Sequence, residues 1–470
     1  MTTRERPRVA ILPVYLELYD RSVPDLLPRQ MGFLSCAQAA LGSVGVEAVT
    51  LPVCRTLAQT THAVAEAEKQ GAHGIVCLHL AYAPSLEIAP ALVDSRLPLL
   101  LWDTTPRPSF GPGAAVNDVL ENHGIHGVQD LASVLLREQR TFDVIAGPLG
   151  DEEASARIAL WARAAQARHL LHHLQVALIG DAFPGMGDFS VEDEVLRKVV
   201  GPTVMALDIP RIADRTAKVT DADIAAEREA DRAAFDCFPC PEVCWDRSNR
   251  VGLGLRRALA EIGAEAFSFN FASFDRSLGT PAVPFLEASK AMARGLGYAG
   301  EGDVLTASLV AALDRCYGPT TFTEMFCPDW QGGRVFMSHM GECNPALAQG
   351  RPQLVEKDYA YGPADNPAVL VFPLKPGPAA LVNLAPGPHE SMTLIAADVE
   401  IDATGLEPGL PAMPHFWIIP PSRDLPRFLE RYSEAGGTHH LALTPGIRAA
   451  DLAPLAHVNG WRFAALAQQR

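Results

Sequence analysis

From Arg8 to about Leu174, short apolar runs alternate with longer stretches of helical periodicity, and this alternation limits the possible folds more than any other feature. VAILPV is followed by LPRQMGFLSCAQAALGSVG, a second strand near VEAVTLPV, a helix from Thr61, and then GIVCLHL, PLLLWD and DVIAG. Strands alternating with helices read as βαβ units, hence a mainly parallel sheet covered on both faces. Ligand groups in such sheets gather beyond the carboxyl ends of the strands. That places interest on Tyr15 to Tyr19 and on Asp103 to Thr105. The pattern resumes at VALIGD (Val176 to Asp181), then GPTVMALD, helical stretches around 221–235 and 246–262, and AFSFNFASF. The expected fold class is α/β: two doubly wound parallel-sheet domains, 1–174 and 175–325, followed by a third domain of different texture.

That third domain, 326–470, shows short β-rich runs separated by Gly and Pro clusters: RVFMSHM, AVLVFPLK, AALVNLA, SMTLIAADVEID and HFWIIPP. Such spacing predicts an antiparallel sheet or barrel. One helix, DLPRFLERYSEAGG, stops at Gly436 and Gly437 and leads directly into THHLAL, delivering His439 and His440.

With 470 residues, 48% hydrophobic and 20% charged, the chain reads as soluble and globular. Its net charge of −16 argues against nucleic acid or an anionic membrane as partner. The apolar run behind the N-terminal charges is too short for a signal-peptide core or a membrane span, which places the protein in the cytoplasm. Nine cysteines, an odd number, fit a reducing compartment better than a disulfide framework. Cys237, Cys240 and Cys244 have a spacing that could hold zinc or an iron–sulfur cluster, but no fourth ligand is evident nearby, and buried or interface thiols are the preferred reading. His169, His172 and His173 share a helical face of ordinary surface character. There is no P-loop and no HExxH; VGLGLRRA is an imperfect glycine match with helical character, so ATP or NAD dependence has no support.

The most chemically loaded stretch runs from Gly297 to Glu342. Glu301 sits between Gly300 and Gly302, where a carboxylate is presented without crowding, and VLTASLVAALDRC behind it has helical periodicity. Glu324 lies in the apolar and β-branched run TFTEMF, where a charge costs several kcal/mol unless a cation or hydrogen bonds compensate it. His339 has the same oddity in RVFMSHM. With His439 and His440, these groups form an oxygen and nitrogen donor set suited to Mn²⁺, Fe²⁺, Co²⁺ or Zn²⁺. Each also has a plainer reading, a Glu salt-bridged to an Arg or a hydrogen-bonded buried His, and spacing alone does not join them into one site.

The order of these motifs resembles the L-arabinose isomerase family, within the wider group of L-arabinose and L-fucose isomerases. In that family an AEGD-type turn, an F-M-E-D-type segment, an S-H-M segment and a G-G-x-H-H segment carry the ligands of a divalent metal, usually Mn²⁺. The matching segments here are AGEGD, FTEMF, SHMGE and GGTHH. The resemblance therefore implies Glu301, Glu324, His339 and His440 as metal ligands, with Glu301 and Glu324 also as catalytic acid and base. It implies Phe274 in ASFD as a pocket-lining residue, and His439 as a hydroxyl contact or an orienting group. The likeness runs along the whole chain, strongest from about Phe267 to Glu342 and weak in 185–250.

The family's Q-H-L-Y segment, which meets the sugar, corresponds to Leu16, Glu17, Leu18 and Tyr19, so the glutamine has become Leu16. Its N-Q-T-A-H-G segment corresponds to 122–127, where the histidine is kept as His126 and the glutamine has become His123. The resemblance implies a small-molecule sugar substrate and a homo-oligomer, a trimer or hexamer, in which a neighbour's N-terminal domain helps cover each site. The expected reaction is aldose–ketose isomerisation on a free sugar other than plain L-arabinose. A metal-dependent lyase or epimerase of a sugar derivative, and a non-enzymatic sugar-binding protein, remain alternatives.

Overall fold

The first alternating region builds a parallel sheet from β1 (Arg8–Val14), β2 (Glu47–Thr50), β3 (Gly74–His79), β4 (Leu99–Asp103) and β5 (Asp143–Ala146), in the order β2-β1-β3-β4-β5. In this computed structural model, which describes residues 5–421 and 424–466, the chain divides into two units, Met1–His169 and Leu170–Arg470. The strands of the first unit are apolar along nearly their whole length because both faces are covered. Leu12, Val14, Cys77 and Leu101 pack with Leu131 and Leu135 of the helix Gly124–Arg137. The helix expected from Thr61 begins earlier, at Leu57, because the Thr56 side chain accepts from the Gln59 N–H and caps it.

The second unit opens with a four-stranded parallel sheet, counted among the described residues: β6 (Gln175–Ile179), β7 (Thr203–Leu207), β8 (Ala266–Phe269) and β9 (Gly297–Gly300), in the order β7-β6-β8-β9. VGLGLRRA lies inside the helix Glu242–Glu261, as its periodicity indicates. The helix Val304–Cys316 is buried almost all round, which its apolar sequence permits.

Next come β10 (Thr321–Asp329) and β11 (Arg334–Ser338), then β12 (Gln353–Glu356) and β13 (Ala368–Val371), which form a separate antiparallel ribbon. AVLVFPLK therefore does not join the main sheet; Pro367 and Pro373 cut its strand to four residues. The main sheet continues with β14 (Gly377–Pro386), β15 (Met392–Ile401), β16 (His415–Ile419), β17 (His440–Pro445) and β18 (Arg462–Ala465). Strands β14-β17-β10-β11-β16-β15 pair antiparallel in that order, and β14 pairs with β15, so among the described residues six strands close into a barrel. Strand β18 departs from the expected antiparallel pattern: it runs parallel to β15, and the helix Ala453–Asn459 supplies the crossover that this requires.

Val335, Met337, Leu381, Ile395, Phe416, Ile418, Leu441 and Leu443 belong to one apolar cluster. Because side chains alternate along a strand, Glu324 and His440 point away from it. Cys240 and Cys244 are buried in the same cluster with Trp245 and Leu354, Cys237 packs against it, and the Cys244 thiol donates to the Asn366 carbonyl at 3.4 Å. These thiols pack as small apolar groups. Among the described residues, no helix is long and apolar enough to cross a membrane.

Candidate metal centre

The carboxyl end of β9 makes the first half of the site. Strand β9 ends at Gly300, and Glu301 takes φ +63°, a left-handed conformation that costs a non-glycine residue roughly 1–3 kcal/mol and concentrates at functional sites. A Cβ at Gly300 would come within 2.5 Å of the His339 ring, so the glycine is required by close approach. The turn is held on several sides. The Glu301 N–H donates to the Phe269 carbonyl at 2.9 Å, the Phe183 N–H donates to the Glu301 carbonyl at 2.9 Å, and the Gly302 N–H donates to Ser268 Oγ at 2.9 Å. Asp303 then caps the following helix with one oxygen, accepting the Thr306 N–H at 2.8 Å.

The barrel makes the second half. Glu324 on β10 lies opposite Ser338 on β11 and opposite His440 on β17, and His339 follows β11 directly. Three neighbouring strands thus bring a carboxylate and two imidazoles to one face, a consequence of register alone. Glu324 Oε1 is 2.9 Å from His440 Nε2 and 3.5 Å from His339 Nε2, while Glu301 Oε2 is 3.5 Å from His440 Nε2. His439 Nε2 lies 3.8 Å from both Glu301 Oε2 and Glu324 Oε1. Among the described residues, Glu301, Glu324, His439 and His440 each offer a possible ligand atom, and these four atoms all lie within 4.8 Å of one another. His339 joins them through Glu324.

Each imidazole is turned the same way. His440 Nδ1 donates to the second oxygen of Asp303 at 2.9 Å, His339 Nδ1 to Glu342 Oε2 at 2.8 Å, and His439 Nδ1 to Asp188 Oδ2 at 2.7 Å. A carboxylate on Nδ1 fixes the tautomer and leaves the Nε2 lone pair free, the usual arrangement behind metal-bound histidine. Glu342 is itself held by the Gly341 N–H at 2.7 Å and the Tyr298 hydroxyl. Phe322 stands edge-on to His339 and His440, with centroids 4.8 and 4.9 Å away, and Phe189 stacks on His440 at 4.8 Å and 9°.

Burial alone would raise the Glu301 carboxyl, yet the facing imidazoles of His439, His440 and His339 outweigh it and hold its pKa down to about 2. Glu324 is held low in the same way, against its burial, by His339 and His440. Burial would lower His440 and His339; Asp303, Glu301 and Glu324 raise the first well above the usual range, and Glu342 and Glu324 raise the second.

The residues fit a divalent cation. Glu301 Oε2 and His440 Nε2 are buried and make no hydrogen bond, although each is a strong polar atom. Two ligands at right angles and about 2.1 Å from one ion are about 3 Å apart, which the 2.9–3.8 Å separations bracket without large movement. The donors are all oxygen and nitrogen, the set that suits Mn²⁺, Fe²⁺, Co²⁺ or Zn²⁺.

Of the other sequence-selected residues, Phe274 is fully buried, edge-on to Phe269 with centroids 5.4 Å apart. The remaining ones lie in the first unit. Tyr19 Oη donates to His123 Nε2 at 3.0 Å, and His123 Nδ1 donates to the Val119 and Leu120 carbonyls at 3.1 Å. His126 is exposed, its ring centroid 5.7 Å from that of His123; Leu16 is half-buried and Leu18 is 54% exposed. Sequence reading missed Asp303, Glu342, Asp188 and Phe189. Asp303 and Glu342 had a signal, each standing two or three residues past a selected ligand, in GEGD and SHMGE.

A parallel sheet and a β-barrel jointly present two carboxylates and three carboxylate-backed imidazoles, a candidate metal centre in a protein of mixed α/β architecture. Residues 319–461 match the L-arabinose isomerase C-terminal domain, and residues 193–316 match the L-arabinose isomerase central domain. An L-arabinose isomerase from Nocardioides sp. is 30% identical over 459 residues, covering 94% of this chain and 90% of that protein. The L-arabinose isomerase of Yersinia pestis bv. Antiqua is 28% identical, covering 73% of this chain and 70% of its own length. One from Escherichia coli is 26% identical, with 72% and 69% covered. This chain belongs to the L-arabinose isomerase family. A solute-binding protein of an ABC transporter from Agrobacterium vitis, bound with alpha-D-tagatopyranose, is 12% identical and covers 66% of this chain and 90% of that one; at a TM-score of 0.16 it supports nothing further.

Proposed function

We propose that the protein is a divalent-metal-dependent aldose–ketose isomerase that acts on a free sugar through a cis-enediol and prefers a substrate other than plain L-arabinose. The observation that carries this reading is the convergence of Glu301, Glu324, His339 and His440 through Nε2 and carboxylate oxygens, with Nδ1 of both histidines on carboxylates. Membership of a family whose named relatives are L-arabinose isomerases supplies the reaction class.

Moving a hydrogen between C1 and C2 requires the carbon acid beside the carbonyl to be made more acidic. A bound Mn²⁺, or a similar ion, supplies Lewis acidity at the carbonyl and neighbouring hydroxyl oxygens. His339 and His440 would hold that ion, with Glu301 and Glu324 completing its protein ligands. Glu324 serves as the base: it is ionised at neutral pH and is the more open of the two side chains, 13% against 9% exposed, while Glu301, ionised as well, acts as its acid partner only after taking a proton from a substrate hydroxyl. The buried aromatic walls, Phe322 and Phe189, keep bulk water from the histidines.

The substrate preference follows from the first unit. Both nitrogens of His123 are already engaged, by Tyr19 and by backbone carbonyls, and Leu16 has no polar atom to offer. Two hydrogen-bonding amides are thus replaced by groups with none to spare, which favours a sugar lacking a hydroxyl there or carrying a modified end. Each lost contact costs L-arabinose about tenfold in kcat/KM. A screen of pentoses, hexoses and deoxy sugars with added Mn²⁺, reading ketose formation, tests the reading. No ketose from any sugar would defeat the isomerase, and L-arabinose as the best substrate would defeat the preference. Tyr19 and His126 serving a neighbour's pocket requires a homo-oligomer, whose size the family resemblance sets at a trimer or hexamer and which light scattering checks; a fully active monomer contradicts it.

A further inference from the structure

His439 differs from the other two imidazoles of the centre. Its side chain is 40% exposed, whereas His339 and His440 are buried, so one side of its ring is open to an incoming molecule. What fixes it is a single carboxylate oxygen: Asp188 Oδ2 accepts both the His439 backbone N–H, at 2.9 Å, and Nδ1, at 2.7 Å. Two donors from one residue on one oxygen lock the main chain and the ring together, and Nε2 is left facing Glu301 and Glu324 at 3.8 Å from each. The loop that carries Asp188 follows β6 and is anchored at both ends of this region. Phe183 is bonded to the Glu301 carbonyl, a Cβ on Gly302 would lie 2.5 Å from Ala182 Cα, and Phe189 stacks on His440.

We propose that Asp188 is the positioning residue that aims His439 at a hydroxyl of the sugar bound between Glu301 and Glu324. This rests on the isomerase reading of the site. A hydroxyl is the partner the geometry selects, because it both donates and accepts and so satisfies Nε2 in either state of the ring. Asp188 lies outside both stretches that match the family's domains, 193–316 and 319–461.

The test compares D188A, D188N, H439A and the D188A/H439A double variant, all with Mn²⁺. D188A is expected to lower kcat/KM for the best screened sugar about tenfold. Its Mn²⁺ affinity stays within about twofold of the parent, in contrast to the loss of about 10–100-fold expected when the carboxylate behind a ligating histidine is removed, because His439 is not among the four ligands Glu301, Glu324, His339 and His440. D188N, whose amide oxygen still accepts both donors, restores most of the loss, and the double variant is no worse than H439A alone, as expected for residues acting through one contact. Full activity in D188A, losses that multiply in the double variant, or Mn²⁺ affinity falling in step with activity would each overturn the proposal. Crystals of Mn²⁺-loaded D188A with an alditol give a readout independent of turnover: the His439 ring is expected to swing away from the alditol hydroxyl, and a ring left in place would overturn the proposal. If the parent converts no sugar, the isomerase reading fails alone, and the ring orientation still decides the role of Asp188.

Discussion

The two units use buried histidine in opposite ways. In Met1–His169, His79 is fully buried with neither ring nitrogen hydrogen-bonded, and its burial drives its pKa down to about 4 despite Asp130. His73 is lowered to about 4 as well, by burial and then by the charges of His169 and Arg8, and it accepts the Arg8 backbone N–H at Nδ1. In Leu170–Arg470, His339 and His440 are just as buried, yet carboxylates on Nδ1 and beside Nε2 raise both. Burial is therefore no guide to the role of a histidine. The difference lies in the partner on Nδ1: a carboxylate prepares the opposite nitrogen for a cation, whereas apolar packing prepares the ring to remain neutral.

The sharpest way to break this comparison is to remove the charge that the second unit's histidines surround. Glu324→Gln is expected to reduce kcat by about 10³-fold or more, since it removes both a ligand and a proton acceptor, while circular dichroism stays unchanged. Unaltered turnover would take Glu324 out of the chemistry. The first unit is probed by pH. His79 has a folded pKa near 4, below the unfolded value of about 6.5, so the unfolded chain binds more protons between them. The stability contribution is complete above about 6.5 and is lost as pH falls towards 4, by roughly 3 kcal/mol or about a hundredfold in the unfolding equilibrium. Hydrogen exchange of the first unit's amides in the full chain, at pH 7 and at pH 5, measures it, and His79→Leu should reduce the dependence while leaving the part that comes from His73, which is lowered to about 4 as well. The raised histidines of the second unit have the opposite sign. Without a cation, their contribution is present below about pH 6.5 and lost as pH rises through their folded pKa, so metal affinity should increase with pH as protons are displaced. The smallest expected effect is at the supporting carboxylate: Asp303→Asn should weaken Mn²⁺ binding by about 10–100-fold in calorimetry, leaving the first unit's exchange rates untouched.

The fold class was legible because period is written locally: apolar runs of strand length between helical stretches cannot pack otherwise than as βαβ units. Residues 368–375 show the limit, since AVLVFPLK has the composition of a barrel strand and only its prolines and its pairing with β12 exclude it. The parallel pairing of β18 was equally invisible, being decided by where a helix returns the chain. At the centre, Glu301, Glu324, His339 and His440 stood out as charges or imidazoles in apolar or glycine settings. Asp188 did not. An Asp in a glycine-rich loop is ordinary, and its value comes from a partner 251 residues away, which only the packed structure reveals.

The pairing of Glu324 with His440 across β10 and β17 holds in one register only. Sliding β10 by a single residue would present Thr323 or Met325 instead and turn the carboxylate into the barrel's apolar interior. The irregularity between Met325 and Cys327 follows at once, so any slack in the strand is taken up beyond the ligand and not before it. A cation present while the chain folds would then act as a referee among competing threadings. Only the correctly paired barrel offers it all its donors together, and mass action draws the population towards that pairing.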